Sequence, residues 1–313
     1  MIQIPPRLST MRTRAGSLFY VRDFMDLKPS KTHAQQLELM KERGLIIEDK
    51  ELAVEVLQNV NYYVLSGYLH GFKKKDGTYQ EGLSFERIHM LYKFDCRLKN
   101  ILLYAIENIE QALKTKIAYA LAMAYKDCPN MYESEDLFKN KDDHKRFMKS
   151  FCWNVRNNLS VPFVHHHVQK YGGHFPIWVA VELLTLGNIK YLYKNIPNKV
   201  RRTVSRELDE SPVVLDSWIE NLRCTRNTLA HDMRLYDMSF RFTPMLSEKH
   251  HKYREVTNRI FDHIYLIKIL YCDKDEWKNI VAEIKELLQA YSAHVNPVAI
   301  GFPDNWETIL LQE

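Results

Sequence analysis

A long stretch without glycine or proline, residues 84–126, is the feature that most restricts how this chain can fold. Its aliphatic side chains recur every three and four positions, the spacing of one face of an α-helix. These positions are Leu98, Ile101, Leu102, Ala105, Ile109, Ala112, Leu113, Ile117, Ala120 and Leu121. The pattern predicts one amphipathic helix of about 60 Å, or two nearly collinear helices. The polar side of this helix is predicted to carry Asp95, Arg97, Glu107 and Glu110.

The composition of the whole chain also favours helices. Its 313 residues have room for one large domain or two, and 46% of them are hydrophobic, enough for a core. Glycine (10) and proline (11) are sparse, and Leu, Lys, Glu and Ala recur without the alternation of strands. We therefore predict an all-α fold.

The net charge limits which kinds of partner the protein can bind, and the cysteines indicate which cellular compartment it occupies. The formal net charge of +5 permits an acidic partner such as RNA but does not demand one. Five scattered cysteines without a Cys-x-x-Cys pair indicate neither a zinc site nor a disulfide framework. The chain also lacks an apolar run long enough for a membrane span or a signal peptide. We expect a cytoplasmic protein without a membrane segment, cofactor or bound metal.

Three regions are predicted along the chain. Residues 1–27 contain Pro5-Pro6 and four arginines, and we interpret them as a flexible basic arm; a strand that contacts nucleic acid and an added extension are the alternatives. Residues 28–80 form an N-terminal helical module, with helices that begin at Thr32 and Asp49. Residues 81–313 form the main helical domain, which ends in two helices (248–270 and 273–290) and an extended tail.

Several polar or aromatic groups allow two interpretations. Tyr62, Tyr63 and Tyr68 either stack on bases or, as we favour, pack the N-terminal module onto the main domain. The basic run at Lys199, Arg201, Arg202 and Arg206 is equally consistent with a solvated helix face and a phosphate track. The histidines at 165–167 and 174 are not predicted to bind a metal, because adjacent histidines cannot all face one ion.

Residues 221–237, hereafter the signature segment, carry the strongest functional pattern. Arg226 and Asn227 are adjacent, and His231 follows four residues after Asn227; Arg223 and Arg234 flank the group. Arginine grips phosphate oxygens and histidine transfers protons near neutral pH, so the set suits RNA transesterification without a metal. On a regular helix the side chains of Arg226 and His231 point roughly 140° apart. They converge only if the helix breaks between them or a second copy supplies the missing group.

The signature segment matches L-R-x-x-R-N-x-x-A-H-x-x-R-L-Y and resembles the Arg-x4-His signature of HEPN domains, specifically the Abi-like branch. Other stretches between about residues 28 and 306 also resemble that family, among them FPIWVAVELLTLG and GFPDNW. The resemblance implies a HEPN-like helical bundle and a metal-independent endoribonuclease of abortive infection or a toxin–antitoxin system. A non-catalytic module that binds RNA or protein is the alternative.

The resemblance also assigns roles. His231 acts as general acid or base, Arg226 stabilises the phosphorane, Asn227 fixes the backbone or orients the histidine, and Arg223 and Arg234 position flanking phosphates. Such ribonucleases often place an acidic residue of the first core helix near the Arg/His pair, which makes Glu110 and Glu107 candidates; an ion pair with Lys114 is the plain alternative. Glu182 either orients an arginine or, as we favour, is a structural carboxylate with a buried partner. The implied partners are RNA, an antitoxin and a second copy of the chain. In that two-fold homodimer the signature segments face each other, and the long helix contributes apolar surface.

Overall fold

The computed structural model describes residues 29–250 and 256–312 in full, together with the backbone of residue 251 and of two short strands. The strands, β1 (Leu8–Arg12) and β2 (Leu18–Arg22), pair antiparallel with Leu8 opposite Arg22. They fall within the predicted basic arm. The rest of residues 1–27 lies outside the described residues, so the flexibility of the arm stays a prediction.

The described residues form fourteen α-helices, which confirms the all-α fold of the body that follows the hairpin. In chain order they are α1 (His33–Glu42), α2 (Lys50–Asn59), α3 (Tyr62–Leu69), α4 (Phe85–Ala124), α5 (Lys141–Asn157), α6 (Pro162–Tyr171), α7 (Ile177–Ala180), α8 (Leu186–Asn195), α9 (Asn198–Arg206), α10 (Pro212–Ala230), α11 (Glu248–His251), α12 (Ile260–Leu270), α13 (Lys274–Ala290) and α14 (Trp306–Leu311). None of the helices in the described part of the chain is long and apolar enough to cross a membrane.

The long Gly- and Pro-free stretch is one helix, α4, of 40 residues. It begins where the hydroxyl of Ser84 accepts the backbone N–H of Arg87 at 3.1 Å. Helices α2, α3, α7, α8, α9, α10, α12 and α13 pack around it, so its apolar stripe is covered by the chain's own helices. Tyr104, Tyr119 and Met123 of α4 are nevertheless exposed, so the expected contribution of this helix to a dimer interface stays a prediction. Asp95 and Lys99 of α4 are also buried, which corrects the prediction that Asp95 marks a polar side.

The apolar spacing from Pro176 to Gly187 predicts one continuous helix, but the helix is interrupted in the structure. Helix α7 passes into a 3-10 turn, Val181–Leu183, and α8 starts afresh at Leu186. The cause is a reciprocal cap at Thr185, whose hydroxyl accepts the Asn188 N–H at 3.3 Å while the Asn188 amide oxygen accepts the Thr185 N–H at 3.1 Å. The new helix start redirects the chain so that α8 packs against α10.

The C-terminal part also differs from its prediction. Instead of one helix over 248–270, the chain forms α11 and α12, and Asn258 between them adopts a left-handed φ of 58°. The tail predicted as extended contains a 3-10 turn, Pro297–Ile300, and α14. Phe302 anchors the tail, because its ring is buried and its centroid lies 4.8 Å from that of Phe261.

Candidate functional site

Helix α10 delivers the signature segment to the surface. It begins with a cap from Ser211, whose hydroxyl accepts the Val214 N–H at 3.3 Å, and continues with Pro212 in its first turn. Leu215, Trp218 and Leu222 are fully buried against the core. The polar residues of the signature therefore fall on the flanks and the far end of a firmly packed helix.

The helix does not break between Arg226 and His231. It runs to Ala230, and the His231 N–H still donates to the Asn227 carbonyl at 3.0 Å. Only then does the chain turn, at Asp232, with a left-handed φ of 54°. The angular separation of roughly 140° expected for a regular helix therefore applies to the Cβ directions of Arg226 and His231.

Arg226 and His231 are both exposed at the surface. Neither side chain makes a hydrogen bond or ion pair with another described residue, so both remain available to a ligand. Asn227 contacts His231 through its backbone carbonyl, and its side-chain amide has no hydrogen-bond partner in the described part of the chain. Orientation of the imidazole by that amide stays a prediction.

Arg223 is held by a carboxylate that the sequence analysis did not single out. Its Nε and Nη2 donate to the two oxygens of Glu220, each at 2.9 Å, and Lys190 of α8 lies 2.8 Å from Glu220 Oε2. Burial opposes ionisation of Glu220, but the hydrogen bonds from Arg223 and Lys190 outweigh it and lower its pKa to about 2. The i,i+3 spacing of Glu220 and Arg223 was the available sequence signal.

Arg234 points away from the exposed pair. Its side chain is half-buried, and its Cδ would lie 4.0 Å from a Cβ added to Gly67 of α3. Its Nη1 is buried and has no hydrogen-bond partner among the described residues. Arg234 thus packs the signature segment against the N-terminal module rather than joining Arg226 at the surface.

Asp95 anchors the chain just after His231. Its Oδ2 accepts the backbone N–H groups of Leu235 at 2.7 Å and Tyr236 at 3.0 Å, and the hydroxyl of Tyr68 at 2.9 Å. The carboxyl group is fully buried, and this burial raises its pKa, although the three hydrogen bonds and Lys99 act in the opposite direction. Oδ2 of Asp95, on α4, therefore connects Tyr68 of the N-terminal module to Leu235 and Tyr236 of the signature segment.

Two further contacts fix the same turn. The ammonium group of Lys99 on α4 lies 2.6 Å from Asp232, and Arg259 donates to Asp237 at 3.0 Å. Gly71 approaches Asp237 so closely that an added Cβ would lie 2.7 Å from its Oδ2. The residues after His231 are thus held from α4, from the N-terminal module and from the segment before α12.

The two supporting carboxylates predicted from the sequence lie elsewhere. Glu110 pairs with Lys114 at 3.0 Å, and it is eleven positions, about 16 Å along α4, from Lys99. Glu182 is exposed, not buried as its apolar surroundings suggested, and it accepts a hydrogen bond from Gln111 at 3.4 Å. Neither contacts a signature arginine among the described hydrogen bonds, so their supporting role stays a prediction.

The three tyrosines of the N-terminal module differ in whether they pack against the main domain or are open to stack on bases. Tyr68 is buried and bonded to Asp95, so it packs the module onto α4 as predicted. Tyr62 is half-buried, whereas Tyr63 is 82% exposed. Only Tyr63 is therefore placed to meet a base.

The basic run on α9 is smaller than predicted. Arg201 is buried, donates to the Pro212 carbonyl at 2.9 Å and lies 3.5 Å from Asp216. Lys199, Arg202 and Arg206 are exposed. Three cations, not four, therefore form the surface that was interpreted as either a solvated face or a phosphate track.

Two of the histidines near residue 170 have ordinary partners. His174 lies 2.7 Å from Glu133, and His167 bonds to the Phe163 carbonyl at 2.8 Å and stacks on Phe175. Within the described residues no group of three or more His, Cys, Asp or Glu side chains is arranged to hold a metal ion.

The fold and signature define a helical protein that presents an arginine, an asparagine and a histidine at the end of one core-packed helix. A family model described as Abi-like protein matches residues 55–237, which is more than half of the chain. The chain therefore belongs to the Abi-like protein family. A search of curated proteins and a search of solved structures each found no match.

Proposed function

We propose that this Abi-like protein is a HEPN-type, metal-independent endoribonuclease that acts in abortive infection or as the toxin of a toxin–antitoxin pair. Family membership supports the link to abortive infection. The observation that carries the catalytic part is that Arg226 and His231 are exposed and make no hydrogen bond or ion pair with other described residues. By contrast, the guanidinium group of the neighbouring Arg223 is already bound to Glu220.

The chemistry follows from these two side chains. His231 takes the proton of an RNA 2′-hydroxyl, whose oxygen then bonds to the adjacent phosphorus while the bond to the 5′-oxygen breaks and that oxygen gains a proton. Arg226 donates to the equatorial oxygens of the phosphorane, where negative charge develops. The products are a 2′,3′-cyclic phosphate and a 5′-hydroxyl. Neither step requires a cofactor.

The flanking arginines support this pair in different ways. Arg223 uses Nε and Nη2 to bind Glu220, which leaves both N–H groups of Nη1 without a partner among the described residues, so in this proposal it binds a neighbouring phosphate. Arg234 is half-buried and its Nη1 is buried, so it supports the site by packing the signature segment against the N-terminal module. Glu110 and Glu182, which contact Lys114 and Gln111, stay candidate supporting residues.

We further propose a two-fold homodimer in which the two signature segments face each other. The support is geometric: α10 is unbroken to Ala230, so the Arg226 and His231 side chains of one chain diverge. A two-fold axis places a second Arg/His set in the same groove. It also concentrates positive charge there without a strongly basic chain, in keeping with the net charge of +5.

The alternative function is a non-catalytic module that binds RNA or protein through the same arginines. Expression in a bacterial host separates the two. We expect the wild type to arrest growth and His231→Ala to relieve the arrest. His165→Ala, which removes another exposed histidine on α6, is the matched control and should arrest growth like the wild type. Arrest by all three proteins would favour the binding module.

A further inference from the structure

A cavity of about 540 Å³ lies away from the signature segment, where α12, α13 and α14 meet the residues after α9. Its volume is in the range of small-molecule sites. Ile269, Trp277, Leu310 and Leu311 give it apolar walls. The cavity is independent of every contact that holds the signature segment.

The described lining residues that can carry a charge at neutral pH are all basic. They are Lys249, His250, Lys268, Lys274 and Lys278, and none of the described lining residues is Asp or Glu. The chain as a whole carries 39 acidic residues against 44 Lys and Arg, so composition does not explain a lining of one sign. Asp209, Glu210 and Asp275, which do not line the cavity, pair with Lys249 and Lys278 and neutralise part of this positive charge.

Two of these lysines lack a carboxylate partner among the described residues. Lys268 donates to the Ile309 carbonyl at 2.7 Å, and Lys274 donates to the Tyr271 carbonyl at 2.9 Å. In contrast, Lys249 lies 3.1 Å from Asp209 and Lys278 lies 2.7 Å from Asp275. An ammonium group has three donors, so Lys268 and Lys274 each keep N–H groups for a ligand.

Lys268 is in an unfavourable position for an isolated charge. Burial, together with the nearby Lys274, lowers its pKa. An anion between the two ammonium groups would remove both disadvantages, because it pairs the half-buried charge and screens the repulsion. Two unpaired positive charges match a dianion better than a monoanion, and a phosphate monoester carries close to two negative charges at neutral pH.

We propose that this cavity is a binding site for a small phosphate monoester with an apolar or planar body. Its phosphate lies between Lys268 and Lys274, and its body lies against the lining apolar side chains that keep accessible surface, Leu208, Ile269 and Leu311. Nucleoside monophosphates and alkyl phosphates share this chemistry. The site is distinct from the proposed ribonuclease groove, and its occupancy is measurable without RNA.

The test is titration calorimetry on the full chain with adenosine 5′-monophosphate, hexyl phosphate and inorganic phosphate as separate probes. We expect at least one organic phosphate to bind about tenfold or more tightly than inorganic phosphate, because only the organic probes use the apolar wall. Tighter binding of the nucleotide would indicate a nucleotide ligand, and tighter binding of hexyl phosphate an amphiphile.

Lys268→Met and Lys274→Gln should each weaken that binding about tenfold or more, since each removes one of the two phosphate contacts. Lys145→Gln, which removes an exposed lysine on α5, is the charge-matched control and should bind like the wild type. Lys274 is exposed, so its variant keeps the test valid even if Lys268→Met unfolds. Equal affinity for all three probes, or wild-type affinity in Lys274→Gln, would overturn the proposal while leaving the ribonuclease proposal untouched.

Discussion

Oδ2 of Asp95 accepts the backbone N–H of Leu235 at 2.7 Å, although the two residues are 140 positions apart in the chain. The same oxygen accepts the Tyr236 N–H and the Tyr68 hydroxyl. This contact fixes the path of the chain immediately after His231. The geometry of the candidate site therefore depends on a residue that lies outside the signature segment.

Replacement of Asp95 by alanine should destabilise the fold strongly. Asp95→Ala leaves two buried N–H groups and one hydroxyl without their acceptor, and an unpaired buried donor costs on the order of 1 kcal/mol or more. We expect a loss of about 3 kcal/mol in the free energy of unfolding, measured by urea denaturation. Asp275→Ala removes a fully exposed carboxylate, whose ion pair is screened by solvent, and should leave the free energy of unfolding close to that of the wild type. Equal stability of the two variants would show that the Asp95 contacts are not important.

Two glycines of the N-terminal module offer a matched pair of substitutions. An alanine Cβ at Gly71 would lie 2.7 Å from Asp237 Oδ2, and Asp237 is itself paired with Arg259. Gly71→Ala should therefore cost about 1–3 kcal/mol. Gly67 lies in α3, where the nearest atom is 4.0 Å away, so Gly67→Ala should be neutral or stabilise by about 0.5 kcal/mol. A lower melting temperature for Gly67→Ala than for Gly71→Ala would contradict the close approach of Gly71 to Asp237.

The Glu220 ion pair predicts a specific pH dependence of stability. The pKa of Glu220 is lowered from its ordinary value of 4.5 to about 2 in the folded state. Between these two pH values the carboxylate is protonated in the unfolded chain but ionised in the folded chain, so protonation favours unfolding. The contribution of Glu220 is therefore complete above about pH 4.5 and is lost as the pH falls towards 2. Glu220→Gln should flatten the pH dependence of the unfolding free energy in that window. The comparison requires denaturation curves of both proteins from pH 6 to 2.5, and parallel curves would refute the assignment.

A dimeric site predicts complementation between inactive variants. Arg226→Ala and His231→Ala should each be inactive yet lose only about 1 kcal/mol of stability or less, because both side chains are exposed. If the arginine of one chain works with the histidine of the other, a mixed dimer contains one complete pair. An equal mixture, unfolded and refolded together, should then recover about a quarter of wild-type activity. Sedimentation should show a dimer throughout, and full wild-type activity from a monomer at nanomolar concentration would exclude the dimeric site.

Local patterns in the sequence were sufficient to predict much of the fold. The repeat in residues 84–126 defines α4, and the caps at Thr32 and Asp49 define the starts of α1 and α2, because a cap depends on residues within one turn. The break at Thr185 was also a local cap. It was missed because the apolar periodicity of residues 176–187 continues across it.

The parts of the site that were not predicted depend on contacts between distant residues. Nothing near Asp95 in the sequence reveals that it meets Leu235 and Tyr68 in the folded chain. The acidic residues of α4 were therefore assigned to a solvated side, although Asp95 is buried. The mismatch in direction between Arg226 and His231 was predictable, because it follows from helix geometry alone.

The most direct test of the proposed function is cleavage of a single-stranded RNA by the purified protein in excess EDTA, with the product ends identified by mass spectrometry. We predict cleavage by the wild type to products that end in a 2′,3′-cyclic phosphate or a 3′-phosphate, and no cleavage by His231→Ala or Arg226→Lys, since lysine lacks the bidentate guanidinium. RNA methylated at every 2′-oxygen should resist, because the nucleophile is blocked. Products that end in a 3′-hydroxyl, or activity that EDTA abolishes, would contradict the account.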